Sequence, residues 1–311
     1  MTTVLAERPA VLPHPLRGPA LCLSAATGFG LAAVFAEQSH RAGVGVETML
    51  VVRFAVAAVV FWGIVARRRP ARPARPVLLT SLGLGAVGYA AQSALYFSAL
   101  TRIGGGLAAL LLYTYPALVA LLAVALGRER LDGRRGAALA CSAAGLVLLL
   151  SSGGLGGTDL AGGIALALGA AGVYALYLTV ADTLPHGADL FLTSAIVCTG
   201  AALSLSAWCL ATGSVDVPSR ASGWLWMILL AIVSTVIPIV CMFAGVRAVG
   251  APTAAILSGA EPVVTAASTA LVYGDRLGPG QLLGGLAVLA AVVLSSRRGG
   301  QTAAPRSATT R

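Results

Sequence analysis

The residues of this chain best suited to chemistry are few, and the foremost is a carboxylate in an apolar setting. Glu261 stands in the run AAILSGAEPVVTAASTALVYGDRL, far from other charges. An ionisable group at the centre of a bilayer costs roughly 3 kcal/mol on insertion scales, so one found there faces a cavity, a partner or a solute. Pro262 follows it and has no N–H, which frees the carbonyl one turn back at Ser258. Glu261, Pro262 and Ser258 therefore predict acceptor oxygens and a kink beside a polar cavity. Two readings of Glu261 stand side by side. It contacts a solute amine or carries a coupling proton, or it is a structural group tied to a neighbouring helix, with Arg53 as the partner.

Arg53 lies inside another apolar run, VVRFAVAAVVF. It is near enough to one end for its long side chain to snorkel, or it locks two helices. Pro116, preceded by Tyr115, reads as a plain kink or as a break facing a solute. Tyr89, Gln92 and Tyr96 recur at i, i+3 and i+7 and share one helix face. Tyr174 and Tyr177 are spaced alike, three residues apart. Tyr89, Gln92 and Tyr174 are too deep for an interfacial belt, so they are expected to line a cavity, with interhelical hydrogen bonding as the alternative. Trp224 and Trp226 open an apolar run and read as interfacial anchors.

Enzymatic and metal-binding constellations are not expected. The five cysteines (Cys22, Cys141, Cys198, Cys209, Cys241) fall within apolar runs without a CxxC pair, and the three histidines lie in polar stretches. Such cysteines read as small buried hydrophobes rather than ligands. There is no HExxH, GxSxG or P-loop, and the chain has no Lys to grip a phosphate. No cofactor and no catalytic residue is expected. Nucleic acid is an improbable partner despite the net charge of +10, because the Arg residues gather between apolar runs instead of covering a face.

The elements that must position these residues are membrane helices. Of 311 residues, 58% are hydrophobic and 10% charged, with a mean hydropathy of +0.89. Soluble domains carry about 25% charged residues. About 20 apolar residues cross a bilayer as a helix, which predicts spans near 19–37, 48–66, 77–99, 103–126, 136–152, 160–180, 189–211, 222–246, 250–273 and 279–296. Small residues such as the Gly280/Gly284 pair suit close helix packing. With alternating spans and an inner N-terminus, sixteen Arg residues fall inside and four outside, so both termini are expected to be cytoplasmic. Residues 1–18 read as a cytoplasmic tail without the features of a cleaved leader, and residues 297–311 as a basic disordered tail.

An internal repeat is also visible. A shift of 146 places Pro116 on Pro262, Gly104 on Gly250, Ala108 on Ala254, Arg130 on Arg276 and Leu131 on Leu277, with Glu129 meeting Asp275. The expected halves are 19–152 and 160–296. Five spans per half is an odd number, so the second copy inserts upside down. Inverted repeats place a binding site near midplane where the halves meet. The expected fold class is an all-α integral membrane protein of ten transmembrane helices in two inverted five-helix repeats.

VVRFAVAAVVF, LLLYTYPALVALLAVALGRERL and AAILSGAEPVVTAASTALVYGDRL resemble the EamA-type carriers of the drug/metabolite transporter superfamily, and the resemblance spans residues 19–296. It implies ten helices, a cavity lined mainly by spans one, three, four, six, eight and nine, and movement of small solutes, often export of amino acids or related metabolites. Asp275 stands where the family usually has Glu. The expected activity is secondary transport of amine-bearing small solutes across a bacterial cytoplasmic membrane, with the lipid bilayer as surroundings and protons as one coupling ion to test. A cationic-drug efflux carrier is the alternative, and a non-transporting membrane subunit or sensor the alternative of a different class.

Overall fold

The computed structural model describes residues 17–100, 102–103, 105–128, 133–150, 159–185, 187–214, 218, 220–274 and 278–296. Of the expected tails, residues 1–16 and 297–311 lie outside the described residues, as do His14, His186, Gly104 and the acidic-Arg-Leu exits at 129–131 and 275–277, whereas Arg17 and Gly18 open the first helix. Among those described the chain is helical and contains no strand.

The first half begins with α1 (Arg17–Gly30) and α2 (Ala32–Arg41), followed by α3 (Val46–Arg68). Next come α4 (Arg75–Gly83), a π-helical turn at Leu84–Tyr89, and α5 (Ala90–Leu100). The half closes with α6 (Gly105–Leu112), α7 (Tyr115–Ala125) and α8 (Gly133–Leu150). The second half runs α9 (Leu160–Ala181), α10 (Leu190–Thr212), α11 (Ala221–Ala231), a π turn at Ile232–Val236, and α12 (Ile237–Val249). It ends with α13 (Ala251–Ser258), α14 (Glu261–Tyr273) and α15 (Pro279–Ser296). Eight helical stretches among the described residues are long and apolar enough to cross a bilayer, and two shorter apolar helices, Gly136–Leu149 and Pro279–Ala291, lie within α8 and α15.

Local chemistry explains several boundaries. Asp159 and Asp189 cap α9 and α10, their Oδ1 atoms accepting from the backbone N–H of Gly162 and Leu192 at 2.9 Å. Such caps satisfy amides that have no partner within the helix. Gly213 ends α10 in the left-handed region at φ 66°, where a side chain is strained. Pro116 and Pro262 each occupy the second position of a helix, where a missing N–H costs nothing. The stretch expected as one span over 103–126 is consequently broken at 113–114, and its later counterpart at 259–260.

The boundaries recur along the chain with the spacing of the repeat. α6 and α13 correspond residue for residue at an offset of 146, as do the starts of α7 and α14 and both ends of α8 and α15. The π turns fall at nearly matching positions. The packing has the same symmetry. α3 packs on α10 and α8 on α15, which pairs equivalent elements, and α7 packs on α13, the counterpart of α6. α1 packs on α12, and α5 on α9, which exchanges the remaining ones.

Small residues permit these crossings. A Cβ on Gly145 or Gly284 would collide with the backbone of the facing helix, so α8 and α15 touch backbone to backbone there. Gly280, the other member of the GxxxG pair, makes only ordinary contact with the carbonyl of Leu148. The main core, which includes Phe54, Phe61, Leu178, Ile239 and Phe243, lies between the halves. Exposed Leu and Val side chains cover the outside, among them Leu271 at 86% and Leu210 at 76% exposed. A lipid-facing surface requires that inversion of the usual soluble pattern.

Candidate functional site

A cavity of about 510 Å³ lies between the halves. Its wall draws on the late part of the α1–α2 stretch (Phe29, Ala33, Ala36), the early part of α3 (Met49, Leu50, Arg53) and the start of α14 (Glu261, Thr265). In an alternating bundle those stretches share one end. At the other end the helices are tied together. Arg128 Nη1 donates to the Thr179 carbonyl at 3.2 Å, and Arg247 Nη1 to the Ala188 carbonyl at 2.7 Å. Gly18 at the start of α1 lies against Val249 at the end of α12.

Most of the expected site residues meet in this one space. Glu261, Pro262, Tyr115, Tyr89, Gln92, Tyr96, Tyr174 and Arg53 all line it. Ser258, Pro116 and Tyr177 do not. Ser258 is buried in α13 and its hydroxyl donates to the Ala254 carbonyl at 2.9 Å. Pro116 is buried in the first turn of α7, setting the break rather than the surface. Tyr177 stands one layer behind, its ring 5.0 Å from that of Tyr89 and 6.0 Å from that of Tyr174.

The floor is aromatic. The Tyr115 ring meets Tyr174 edge-on at 4.6 Å and Tyr113 at 6.1 Å, while Tyr89 packs on Phe54 at 5.0 Å. Offset and edge-on pairs of this kind add about 0.5–1.5 kcal/mol each beyond burial. The Tyr115 hydroxyl is fully buried beside the Ser258 side chain, without a well-formed hydrogen bond.

Glu261 opens α14 beside the break, at a helix N-terminus that favours negative charge. Its carboxyl shares a side-chain hydrogen bond with the Tyr113 hydroxyl. The expected pairing of Glu261 with Arg53 does not occur. The two interact through charge at longer range, and among the described residues the ion pairs are Glu37–Arg41 and Asp159–Arg102 instead.

Arg53 does not snorkel. Its Nη2 donates to the Ser234 carbonyl at 3.0 Å and its Nε to Thr235 Oγ1, both in the π turn between α11 and α12. The cause is legible in the chain. Pro238 sits four residues after Ser234 and has no N–H to give its carbonyl, which accepts from Arg53. Thr235 is held in turn, its hydroxyl donating to the Leu230 carbonyl at 3.0 Å.

The cavity also has members that sequence reasoning missed. Tyr113, Ser93, Thr265 and Gln281 line it, and α3, α8 and α15 contribute beside the elements the resemblance implied. Tyr113 lies two residues before Tyr115 in the same YTYP segment, the one signal that could have raised it. Outside the cavity lining, Trp226 stacks on Phe35 at 6.3 Å, whereas Trp224 is exposed as an interfacial anchor would be.

A chain of apolar helices enclosing a cavity with one carboxylate, one guanidinium and a tyrosine floor is of the membrane-transporter class. The EamA-like transporter family model matches residues 16–151 and again 161–297, so the chain belongs to that family. It is 27% identical over 291 residues to the uncharacterized transporter YcbK of Bacillus subtilis (strain 168), covering 90% of this chain and 92% of that protein. A solved crystal structure of a protein 20% identical in sequence superposes with a TM-score of 0.78 over 90% of this chain and 98% of its own, which establishes likeness of fold. The protein is a transporter and not an enzyme.

Proposed function

We propose that the protein is a secondary carrier of small amine-bearing solutes, an exporter of amino acids or related metabolites, working by alternating access. The observation that carries this reading is Glu261 in the wall of a cavity between two halves, with no cationic side chain at ion-pair distance among the described residues. A carboxylate so placed is balanced by a solute ammonium or by a proton, and exchange between the two couples transport to the proton gradient.

In this reading the ten helical stretches all span the bilayer, as two inverted five-helix repeats bounded by residues 19–152 and 160–296. Both termini lie in the cytoplasm of a bacterial cell, as the Arg distribution favours. The cavity then opens outward, and the arginine ties at Arg128 and Arg247 close the inner side. A smaller void of about 110 Å³ beside Arg128, Asp182 and Pro252 marks where the inner side would part.

The test is transport in proteoliposomes of wild type and Glu261→Gln, with amino acids and cationic drugs as the panel. The variant is expected to assemble normally and to lose gradient-driven transport. Normal coupled transport by Glu261→Gln would reject the role given to the carboxylate. Preference for cationic drugs would replace the metabolite reading with the efflux one.

A further inference from the structure

Arg53 is a buried cation whose bonds go to neutral groups. Among the described residues no carboxylate stands at ion-pair distance from it, and its protein acceptors are one carbonyl and one hydroxyl. A guanidinium carries five N–H donors in a planar fork. Two are used here, both on the side of the π turn. The group nevertheless lines the cavity, with the Phe54 ring under its Cζ at 5.4 Å. Holding an unpaired positive charge at this depth is costly. A lock between α3 and the α11–α12 turn needs donors but no charge, since both acceptors are neutral.

We infer that Arg53 is the residue that selects solutes by their carboxylate, receiving that anion on the N–H groups left over from Ser234 and Thr235. The inference rests on the reading of Glu261 as the amine site and deepens it. Arg53 and Glu261 face one cavity without touching, so the space between them is dipolar. A zwitterion fits that field at both ends, whereas a plain amine satisfies only the Glu261 end and leaves the guanidinium unpaired. An Arg fork is also the group best matched to a planar carboxylate. Pro238 sets the geometry by freeing the carbonyl that turns the fork, and Thr235 fixes the Nε edge. The N–H groups that these two acceptors do not hold are the ones left for a solute.

The experiment compares matched pairs on purified protein by thermal shift, since a ligand of the native state raises apparent stability. The probes are leucine against 3-methylbutylamine and phenylalanine against 2-phenylethylamine, each amine being the amino acid without its carboxylate. Wild type is expected to bind the amino acid of at least one pair about 10-fold more tightly than its amine. In Arg53→Gln that advantage should vanish while affinity for the amine stays within about 2-fold, and Arg53→Lys should keep part of it. Equal affinity within both pairs in wild type would overturn the inference while leaving the amine reading of Glu261 intact. So would an Arg53→Gln variant that weakens amine and amino acid alike. Failure of every probe to shift wild type would overturn both. The wild-type comparison needs no variant to fold.

Discussion

Two helix breaks face each other across the middle of this protein, and they differ in chemistry far more than in shape. Residues 113–114 and 259–260 interrupt equivalent stretches at the same offset, each followed by a Pro at the second position of the resuming helix. In the first half the residue before the Pro is Tyr115, 1% exposed and packed edge-on against Tyr174. In the second it is Glu261, partly exposed to the cavity. The backbone device is duplicated and the reactive group is not. A carrier built from two copies therefore does not need two equal sites: one break supplies charge and the other a wall.

The comparison can be broken by experiment. The largest effect is expected from exchanging the two groups, Tyr115→Glu with Glu261→Tyr. A carboxylate in the packed Tyr115 position would open a helix as Glu261 does but would be set against the Tyr174 ring, so transport should vanish and thermal stability fall. An exchanged protein that still transports would show the breaks to be chemically interchangeable. Next comes Glu261→Gln, which keeps shape and removes charge. A hydrogen bond to a charged group contributes about 1.5–3 kcal/mol, so a transport assay should show a loss on the order of 100-fold.

A smaller effect separates the prolines. Pro262→Ala restores an N–H that the Ser258 carbonyl can accept, drawing α13 and α14 toward one straight helix and moving Glu261. Pro116→Ala does the same where no charge is moved. Initial transport rates should fall several-fold more for the first than for the second. The smallest change is Tyr115→Phe. It removes a buried hydroxyl without a well-formed hydrogen bond, and leaving such a group unsatisfied costs about 1–3 kcal/mol. The variant should unfold at a higher temperature, and a lowered transport rate alongside would show that a solute uses that hydroxyl.

Much of this arrangement could be read from the chain, because membrane helices announce themselves by length and solvent preference alone. The edges of α3, α9 and α10 lie within a few residues of the expected spans. The matched breaks were foreshadowed by Pro116 and Pro262. The wall of the cavity followed from helical spacing, which put Tyr89, Gln92 and Tyr96 on one face. Partners were harder. Pairing with Glu261 by opposite charge was one of the readings open for Arg53, but its acceptors are a carbonyl and a hydroxyl on a different helix. Pro238 was visible, yet only tertiary packing decides that α3 faces that turn. Tyr177 illustrates the converse, since it shares a helix and a spacing with Tyr174 but sits one layer back. The π turns left no sequence mark, because an inserted residue changes register without changing composition.

The crossing of α8 and α15 has one more implication. Cys141 gives its Sγ–H to the Ala287 carbonyl at 3.2 Å, and the two positions are 146 residues apart. Each is the repeat counterpart of the other, so the pseudo-two-fold axis passes between them. In a two-subunit assembly such a patch would be isologous, the same surface meeting itself. Here it is folded within one polypeptide. The joining chain holds the two faces at an effective concentration that separate subunits reach only with a large buried interface. That leaves this junction free to be narrow, two glycines wide at its tightest point, and still not come apart while the rest of the molecule moves around it.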